Sequence, residues 1–308
     1  MQPMRSALLW SARNAWMRDH VPHLPFAQRA VRRFMPGEHL EDALAAADRL
    51  NAQGFGVLFT HLGENLTRLT EADAVAEHYH DVLERGRTRA RPIEISVKPT
   101  QLGLDIDEDA CLRHCESLAA HAQETGTWLW LDMEGSSYTE VTVALYERLK
   151  ASHPKTGIAL QAYLRRTAAD VQRILPLQPA VRLVKGAYDE PAAAAYRGRS
   201  EVDGNYQTLA VVLAQAAGKG VARLALGTHD VELICRITTM AEASGTARGA
   251  LEVHMLYGIR ADQLARLARE GYSCSSLVAY GEFWYAWYMR RLAERPANIV
   301  FALRQLLP

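Results

Sequence analysis

The stretch ARLALGTHDVELICRITTMAEASGTARGALEVHMLYG (residues 222–258) holds two short apolar runs, ARLALGTHD (222–230) and ALEVHMLYG (250–258), with a helical pattern between them. Short runs rich in β-branched and aromatic residues indicate strands. A strand–helix–strand order predicts two parallel strands joined by a helical crossover. This unit decides the fold because it recurs along the chain.

Six further runs of this kind alternate with helical patterns. Eight such units in about 250 residues match the size of a closed (β/α)8 barrel of the TIM type. A doubly wound open sheet is the competing arrangement, but the chain lacks GxGxxG after its first run and any GxxxxGK(S/T) loop. We therefore predict an α/β fold with a closed barrel. The six runs are GFGVLFT (54–60), PIEISVKPT (92–100), TWLWLDME (127–134), GIALQAYL (157–164), VRLVKGAY (181–188) and YSCSSLVAYG (272–281).

The N-terminal part of the chain has a different pattern. Residues 1–50 look helical throughout, and Leu40, Leu44 and Leu50 recur at helical spacing before Gly54 stops the pattern. No linker or low-complexity segment divides the chain. We predict a helical arm over residues 1–50 that flanks a barrel domain over residues 51–308.

The composition is that of an ordinary globular protein, with 49% hydrophobic and 23% charged residues. Lys plus Arg and Asp plus Glu both total 35, so no overall positive field favours nucleic-acid binding. No run approaches the ~18 apolar residues of a membrane span, whereas attachment to a membrane surface stays open. Four cysteines without a CxxC pair fit reduced thiols in a cytoplasmic setting.

One cysteine pair could suggest a metal site. Cys111 and Cys115 lie four residues apart, with His114 and His121 nearby in the sequence. Small residues on one face of an ordinary helix explain this spacing more simply. We therefore predict no metal centre.

Polar residues gather where the predicted strands end. The carboxyl ends of parallel barrel strands converge on one mouth, where barrel enzymes have their active sites. The opposite strand ends carry few polar residues, and core filling does not explain so many polar groups at one end. The pattern predicts an active site at this mouth. The set comprises Lys98, Asp132, Glu134, Gln161, Tyr163, Arg165, Arg166, Arg182, Lys185, Tyr188, Thr228, His229, Asp230, Glu252, His254 and Tyr257.

Individual members of this set have simpler interpretations. Lys98 and Asp132 could pair only to satisfy two buried charges, Arg166 could belong to a solvated helix start, and a lone His254 is more often a hydrogen-bonded core residue than a ligand. The excess of cations and neutral donors favours a bulky anionic cofactor over a bare metal. Lys98 or Lys185 could instead form a Schiff base, as in an aldolase, and a non-catalytic sensor barrel is a further alternative.

The stretch YAWYMRRLAER (285–295) places two arginines side by side on an aromatic helix after the last strand. We expect the start of this last crossover helix to lean over the mouth. Because adjacent guanidinium groups resist desolvation, Arg290 and Arg291 fit a dry site if a substrate carboxylate lies between them. Glu294 is one turn from Arg290 and can orient it. A surface helix with an ordinary ion pair is the alternative.

The stretch YMRRLAE resembles the YxxRRxxE signature of the proline dehydrogenase family. SVKPTQLGLD, LDMEGSSYT, LQAYLRR, RLVKGAYDEP, GTHD and MLYGIR resemble its other blocks in the same order, over about residues 50–298. The length is similar to that of the monofunctional bacterial enzymes. The resemblance implies a distorted (β/α)8 barrel that binds FAD non-covalently. It also implies oxidation of L-proline to Δ1-pyrroline-5-carboxylate, the first step of proline catabolism.

The resemblance also assigns roles to individual residues. The flavin-binding positions, with Arg182 close to flavin N5, would be Gln161, Arg182, Lys185, Gly186, Thr228 and His229. The substrate carboxylate would be held by Lys98, Arg290 and Arg291, and Glu294 would order the arginine helix. The substrate pocket would be lined by Asp132, Tyr188, Leu256 and Tyr288.

The same resemblance implies a partner for the electrons. They would pass from the flavin to a quinone or another membrane electron acceptor. The expected location is therefore the cytoplasm, with weak attachment at the inner face of the membrane as an option.

Three positions depart from the family's pattern. Leu277 stands where a tyrosine that packs on the substrate ring is expected, His254 stands where glutamine is common, and Pro99 follows Lys98. Leu277 keeps the pocket apolar but removes a hydroxyl group. This departure suggests a proline-like cyclic imino acid, such as hydroxyproline, pipecolate or a modified proline, as the alternative substrate.

Overall fold

The computed structural model describes residues 8, 10, 11, 14–24, 27, 28, 31–63 and 66–294. Its centre is a closed barrel of eight parallel strands in sequential order, with β8 paired to β1. The predicted (β/α)8 barrel is therefore confirmed, and each of the eight predicted runs overlaps one strand. The strands are β1 (Gly56–His61), β2 (Glu94–Val97), β3 (Leu129–Leu131), β4 (Thr156–Gln161), β5 (Ala180–Val184), β6 (Arg223–Gly227), β7 (Leu251–Leu256) and β8 (Ser273–Tyr280).

Helices follow the strands and cover the barrel. Parallel strands covered in this way are buried on both faces, and all six residues of β4 are buried. Short 3-10 turns occur at Val21–His23, Pro99–Leu102, Ser136–Tyr138, Leu175–Leu177 and Arg248–Ala250. The helices are α1 (Ala15–His20), α2 (Leu40–Ala52), α3 (Leu69–Gly86), α4 (Glu108–Glu124), α5 (Thr139–Ser152), α6 (Thr167–Ile174), α7 (Arg199–Gly218), α8 (Val231–Ala243), α9 (Ala261–Arg269) and α10 (Trp284–Glu294).

The N-terminal part of the chain packs where the first and last strands of the barrel meet. Helix α2 packs against both β1 and β8. Helix α10 packs with the turn Val21–His23, and Tyr288 on it contacts Phe34 with ring centroids 5.5 Å apart. A segment that precedes the barrel in sequence therefore covers the junction of β1 and β8, and α10 packs with the N-terminal part of the chain.

The prediction that residues 1–50 are helical throughout is wrong. Residues 32–39 form turns and bends, and α2 begins only at Leu40. Pro36 and Gly37 lie in this segment, and both are poor helix formers. Gly54 follows α2 with φ +87°, as expected for a glycine just beyond a helix end. The division of the chain at residue 50 stays a prediction.

The amino-terminal end of the barrel interior holds a charged network, which contradicts the expectation of few polar residues there. Arg223, the first residue of β6, donates hydrogen bonds to Glu252 on β7 at 2.7 and 2.8 Å and to Glu94 on β2 at 2.7 Å. Its guanidinium carbon lies 4.5 Å from the centre of the Trp128 ring. We call Glu94, Arg223 and Glu252 the floor network. Cation–π contact and paired carboxylates make this buried arginine tolerable.

No helix in the described part of the chain is long and apolar enough to cross a membrane.

Candidate active site

A cavity of about 370 Å³ lies at the mouth of the barrel. Its volume falls in the range of small-molecule sites. The predicted site residues that line it are Lys98, Asp132, Gln161, Arg182, Lys185, Gly186, Tyr188, Thr228, His229 and Leu256. His254, also predicted at the mouth, lines it too. The remaining lining residues are Thr60, Leu62, Met133, Ala159, Val184, Ala187, Gly227, Met255, Leu277 and Trp287.

The buried Arg182 and the half-buried Asp132 form an ion pair on the cavity wall. Ser96 joins them: its hydroxyl accepts a hydrogen bond from Arg182 Nη2 at 2.8 Å and donates one to Asp132 Oδ1 at 2.9 Å. All three side chains point inward because β2, β3 and β5 alternate inward and outward residues. Ser96 was missed by the sequence analysis, although its position two residues before Lys98 gives it the same inward direction.

Several buried polar atoms of the lining residues have no hydrogen-bond partner in the described part of the chain, among them Thr60 Oγ1, Gln161 Oε1, Arg182 Nη1 and His254 Nδ1. Gln161, Arg182 and His254 are each only 3% exposed. The amide nitrogen of Gln161 donates to the Met133 carbonyl at 3.4 Å. Because buried polar groups normally have partners, these atoms indicate a ligand that supplies an acceptor and a donor.

Lys185 lies between two carboxylates. Its ammonium group donates to Asp203 and, at 2.9 Å, to Asp230. Burial raises the pKa of Asp230, but Lys185 outweighs it and the pKa is lowered overall. Asp230 also caps α8 by accepting from the Leu233 amide at 3.3 Å. An amine held by two carboxylates is poorly placed as a nucleophile, which disfavours a Schiff base on Lys185.

Gly186 allows a close approach on the cavity wall. Its φ is +117°, and a Cβ atom there would lie 2.2 Å from the Tyr163 ring. Only glycine adopts this backbone conformation without strain, and no side chain would fit. The Tyr163 amide donates to the Lys185 carbonyl at 2.9 Å, so strand β5 and the loop after β4 are held together here.

Thr228 and His229 are held by short local contacts after β6. The Thr228 hydroxyl accepts from the Asp230 amide at 3.2 Å. His229 Nε2 accepts from the Leu256 amide at 3.4 Å, and the Arg260 guanidinium donates to the His229 carbonyl at 2.9 Å. These contacts link the ends of β6 and β7 at the cavity.

Two glutamates, Glu134 and Glu190, stabilise the loops around the mouth through hydrogen bonds. Glu134 accepts from the Thr100 hydroxyl at 2.8 Å and from the Thr100 amide at 3.2 Å, so it fixes the turn that follows Lys98. Glu190 accepts hydrogen bonds from Ser136 in the same way, with the Ser136 amide at 2.7 Å. Glu134 was predicted as a mouth residue, and its contacts show it bracing a loop.

Helix α10 brings Trp287 to the cavity, in agreement with the expected position of its start. Tyr288 packs beside it in an aromatic cluster with Phe34 and Trp284, 4% exposed, and is not among the residues lining the cavity. Burial raises the pKa of Tyr288 to about 12. The side chains of the remaining predicted residues on this helix lie outside the described residues: Arg290, Arg291 and Glu294.

Seven members of the predicted polar set are not among the residues that line the cavity: Glu134, Tyr163, Arg165, Arg166, Asp230, Glu252 and Tyr257. Glu252 belongs to the floor network, because it is the second residue of β7 and not near its end. Tyr257 lines a separate surface pocket. Arg166 is 38% exposed and pairs with Asp170 and Glu140 at the start of α6. This agrees with the simpler interpretation of Arg166 as part of a solvated helix start.

The cysteine and histidine pattern near residue 115 has a structural explanation. Cys111 and Cys115 are buried on α4, and the Cys111 thiol contacts the Pro99 carbonyl at 3.4 Å. His114 contacts the Leu102 carbonyl and Asp73 at 2.9 and 3.0 Å. Over the described residues, no group of three His, Cys, Asp or Glu side chains could hold a metal ion.

A closed parallel barrel with a buried polar cavity at the carboxyl ends of its strands is the arrangement of a (β/α)8-barrel enzyme. The model of the family described as proline dehydrogenase matches residues 43–304. The chain belongs to the proline dehydrogenase family, and the family predicted from the sequence is confirmed.

Similar proteins include two curated bacterial relatives. Proline dehydrogenase 1 of Bacillus subtilis strain 168 is 35% identical over 277 residues, which covers 90% of this chain and 90% of the relative. The proline dehydrogenase of Deinococcus radiodurans is 33% identical over 282 residues and covers 89% of each. Both relatives match nearly the whole chain at similar length.

A solved structure with the same fold is proline utilization A (PutA) of Bdellovibrio bacteriovorus, inactivated by N-propargylglycine. The TM-score is 0.77 at 23% identity, covering 86% of this chain and 32% of that chain. The chain therefore spans about a third of that longer protein. At this level of identity the likeness concerns the fold.

Proposed function

We propose that this chain oxidises L-proline to Δ1-pyrroline-5-carboxylate with non-covalently bound FAD, and that a quinone receives the electrons. The observation that carries the proposal is the cavity at the mouth. It gathers ten of the fourteen residues that the family resemblance assigned to the flavin and substrate sites, although they come from β2 to β7 and from widely separated parts of the sequence. Membership of the family supports the reaction, and the cavity supports the site.

The cavity has the chemistry that a flavin requires. Arg182 Nη1 and Gln161 Oε1 are buried atoms that lack partners in the described part of the chain, and they complement ring acceptors and donors. The residues that would hold the cofactor are Gln161, Arg182, Lys185, Gly186, Thr228 and His229. The bound group would supply the two-electron oxidation, which protein side chains alone cannot perform.

The chain's own residues would bind and orient the substrate. Lys98, Arg290 and Arg291 would hold the carboxylate, which converts a loose encounter into one orientation. The Asp132–Arg182 pair fixes one wall, and Glu294 would orient the arginines. The apolar side chains of Leu256, Leu277 and Trp287 line the same cavity and would exclude water. Tyr188 lines the same cavity and would complete the pocket.

A visible spectrum tests the proposal directly. The purified protein, after incubation with FAD, is expected to show a flavin absorption that L-proline bleaches in the absence of oxygen. A colourless protein that takes up no FAD contradicts the proposal. Borohydride trapping of a carbonyl substrate on Lys98 or Lys185 would favour the aldolase alternative, and ligand binding without bleaching would favour a sensor.

Neutralising the arginine pair is expected to weaken substrate binding. Replacement of Arg290 or Arg291 by glutamine removes a charge-assisted hydrogen bond worth roughly 1.5–3 kcal/mol, so the KM for L-proline should rise ~10–100-fold. Steady-state kinetics with an artificial electron acceptor measure this change. Arg266→Gln on α9, where the side chain is 45% exposed, is the matched control. An unchanged KM in Arg290→Gln and Arg291→Gln would contradict the proposal that these arginines hold the substrate carboxylate.

Leu277 lines the cavity, which keeps a proline-like substrate as a second candidate. Leu277→Ala should enlarge the pocket and raise the ratio of kcat/KM for pipecolate to that for L-proline ~10-fold, since one methylene changes such ratios by about that factor. Val278→Ala on the same strand removes outward core packing and should leave the ratio unchanged. If hydroxyproline or pipecolate outperforms L-proline in the unmodified protein, the substrate assignment changes.

A quinone acceptor implies contact with a lipid surface, and we place the chain in the cytoplasm at the inner face of the membrane during turnover. Co-flotation with quinone-containing anionic vesicles, measured with and without L-proline, tests this part of the proposal. Turnover with a water-soluble quinone and no association with vesicles would support the proposed reaction and contradict the proposed contact with the membrane.

A further inference from the structure

His254 occupies the boundary between the cavity and the floor network. It lines the cavity and is 3% exposed. Its Nε2 atom lies 3.2 Å from Glu252 Oε2, and its ring packs edge-on against Trp130 with centroids 5.8 Å apart. Because a carboxylate only accepts hydrogen bonds, Nε2 carries the hydrogen. The other ring nitrogen, Nδ1, is buried and has no hydrogen-bond partner in the described part of the chain.

The three charges of the floor network do not balance, since Arg223 contributes +1 and Glu94 and Glu252 contribute −2, a net charge of −1. The Lys150 ammonium lies at the same end of the barrel, 5.6 Å from the centre of the Trp128 ring, but the charges that act on His254 are those of Glu252, Glu94 and Arg223. The inward residues of β1, β4 and β8 at this level are uncharged: Leu58, Ala159 and Ser275. Above His254, Asp132 and Arg182 neutralise each other. A proton on His254 would therefore balance the net charge of the floor network.

Burial lowers the pKa of His254, and the carboxylates of Glu252 and Glu94 oppose this shift. The histidine is thus neutral at rest and has a basic atom without a partner. An added negative charge in the cavity would favour the protonated form, because an opposite charge within a few ångströms stabilises it in a low-dielectric interior.

The other residues of the cavity are less able to take up a proton. Lys98, Lys185 and Arg182 are cations, and Asp132 is paired with Arg182. The second cavity histidine, His229, accepts the Leu256 amide hydrogen bond at Nε2, and protonation there would break that bond. His254 loses no described hydrogen bond when Nδ1 gains a proton.

We propose that His254 is a proton-accepting residue of the cavity, which takes up one proton from solvent when the bound flavin is reduced. The inference rests on the proposed FAD. The substrate supplies two electrons and the hydrogen that moves with them, so the proton on His254 is additional. Nδ1 would be the atom that gains this proton, and the proton would return to solvent when the electrons leave.

The flavin reduction potential measured against pH tests this proposal without any turnover assay. For a two-electron couple each additional proton changes the potential by ~30 mV per pH unit. Between about pH 5 and 8, where histidines titrate, the unmodified protein should show a slope steeper by that amount than His254→Gln. Glutamine, which is common at this position in the family, can still donate to Glu252 and does not titrate.

Two further variants separate the proton role from a structural one. Glu252→Gln keeps an acceptor for His254 but removes the negative charge that favours its protonation, so it should also flatten the slope near neutral pH. His114→Gln on α4, which removes a half-buried histidine outside the cavity, should leave the slope unchanged. If the flavin reduction potential has the same slope against pH in the unmodified protein, His254→Gln and Glu252→Gln, the inference is overturned and the proposed function is unaffected. A protein that takes up no FAD overturns both.

Discussion

Arg182→Lys is expected to fold normally and to lose flavin reduction by L-proline ~10²–10³-fold. Arg182 makes two separate sets of contacts, since Nη2 binds Ser96 and Asp132 while Nη1 is buried without a described partner. Lysine has one head group and would remain with Asp132, because leaving that carboxylate unpaired costs roughly 3–5 kcal/mol. The cavity then loses the donor that Nη1 offers. Removal of one preorganised donor of this kind typically costs the stated factor in rate.

The rate of flavin bleaching at saturating L-proline, followed by anaerobic stopped-flow absorbance, measures this loss. Ser96→Ala is the matched control, because it removes the bridging hydroxyl group and keeps both charges; its rate should fall by less than about tenfold. Thermal unfolding of both variants checks that the barrel is intact. If Arg182→Lys reduces flavin at nearly the rate of the unmodified protein, Arg182 does not face the reacting ring.

The sequence predicted the cavity wall well for a simple geometric reason. Parallel strands in a closed barrel all end at the same mouth, so a polar residue at a strand's carboxyl end points into the same space as its counterparts. Lys98, Asp132 and Arg182 follow this rule and line one cavity. Knowledge of the partner strands was not needed, because closure brings any set of strand ends together.

The floor of the barrel could not be predicted in this way. Glu252 and His254 are two residues apart and point in the same direction, but one lies at the bottom of the interior and the other at the cavity. Their depth depends on where β7 begins, and strand boundaries are the least certain part of a sequence interpretation. The pairing of Glu94 with Arg223 spans 129 residues, and neither position shows a pattern that identifies the other.

The closing helix illustrates a second limit. The aromatic residues of α10 correctly indicated a packed helix. However, its partner Phe34 lies in a segment that was predicted to be helical and instead forms turns. Pro36 and Gly37 were visible in the sequence as helix breakers. The contact between Phe34 and Tyr288, however, depends on the path of the whole N-terminal segment.

Removal of Arg223 is expected to produce the largest loss of stability. Arg223→Met leaves Glu94 and Glu252 inside the barrel without their cation, although these carboxylates are only 16% and 19% exposed. An uncompensated buried charge costs roughly 3–5 kcal/mol. We expect a decrease of this size in the free energy of unfolding at pH 7, measured by chemical denaturation.

The pH dependence of the loss identifies its cause. Burial raises the pKa of Glu252, but hydrogen bonds from His254 and Arg223 outweigh it and hold the pKa at about 2, below the ordinary value of 4.5. A lowered pKa stabilises the fold above pH ~4.5, and that contribution disappears as the pH falls towards 2. Without Arg223 the carboxyl pKa rises, so the variant's deficit should be largest near neutral pH and shrink as the pH approaches 4.5.

The triple variant Glu94→Gln, Arg223→Met, Glu252→Gln separates lost charge from lost packing. Glutamine oxygens can still accept from the Trp130 indole and from His254, which now contact Glu94 and Glu252, and no unpaired charge remains. Replacing a whole buried ion network with neutral groups is often close to neutral in stability, so the triple variant should regain most of the free energy lost in Arg223→Met and lose its pH dependence. A triple variant as unstable as Arg223→Met would mean that the guanidinium contributes by packing between Trp128 and Trp130, at 4.5 and 5.0 Å from their rings, and that the charge balance beneath the cavity is secondary.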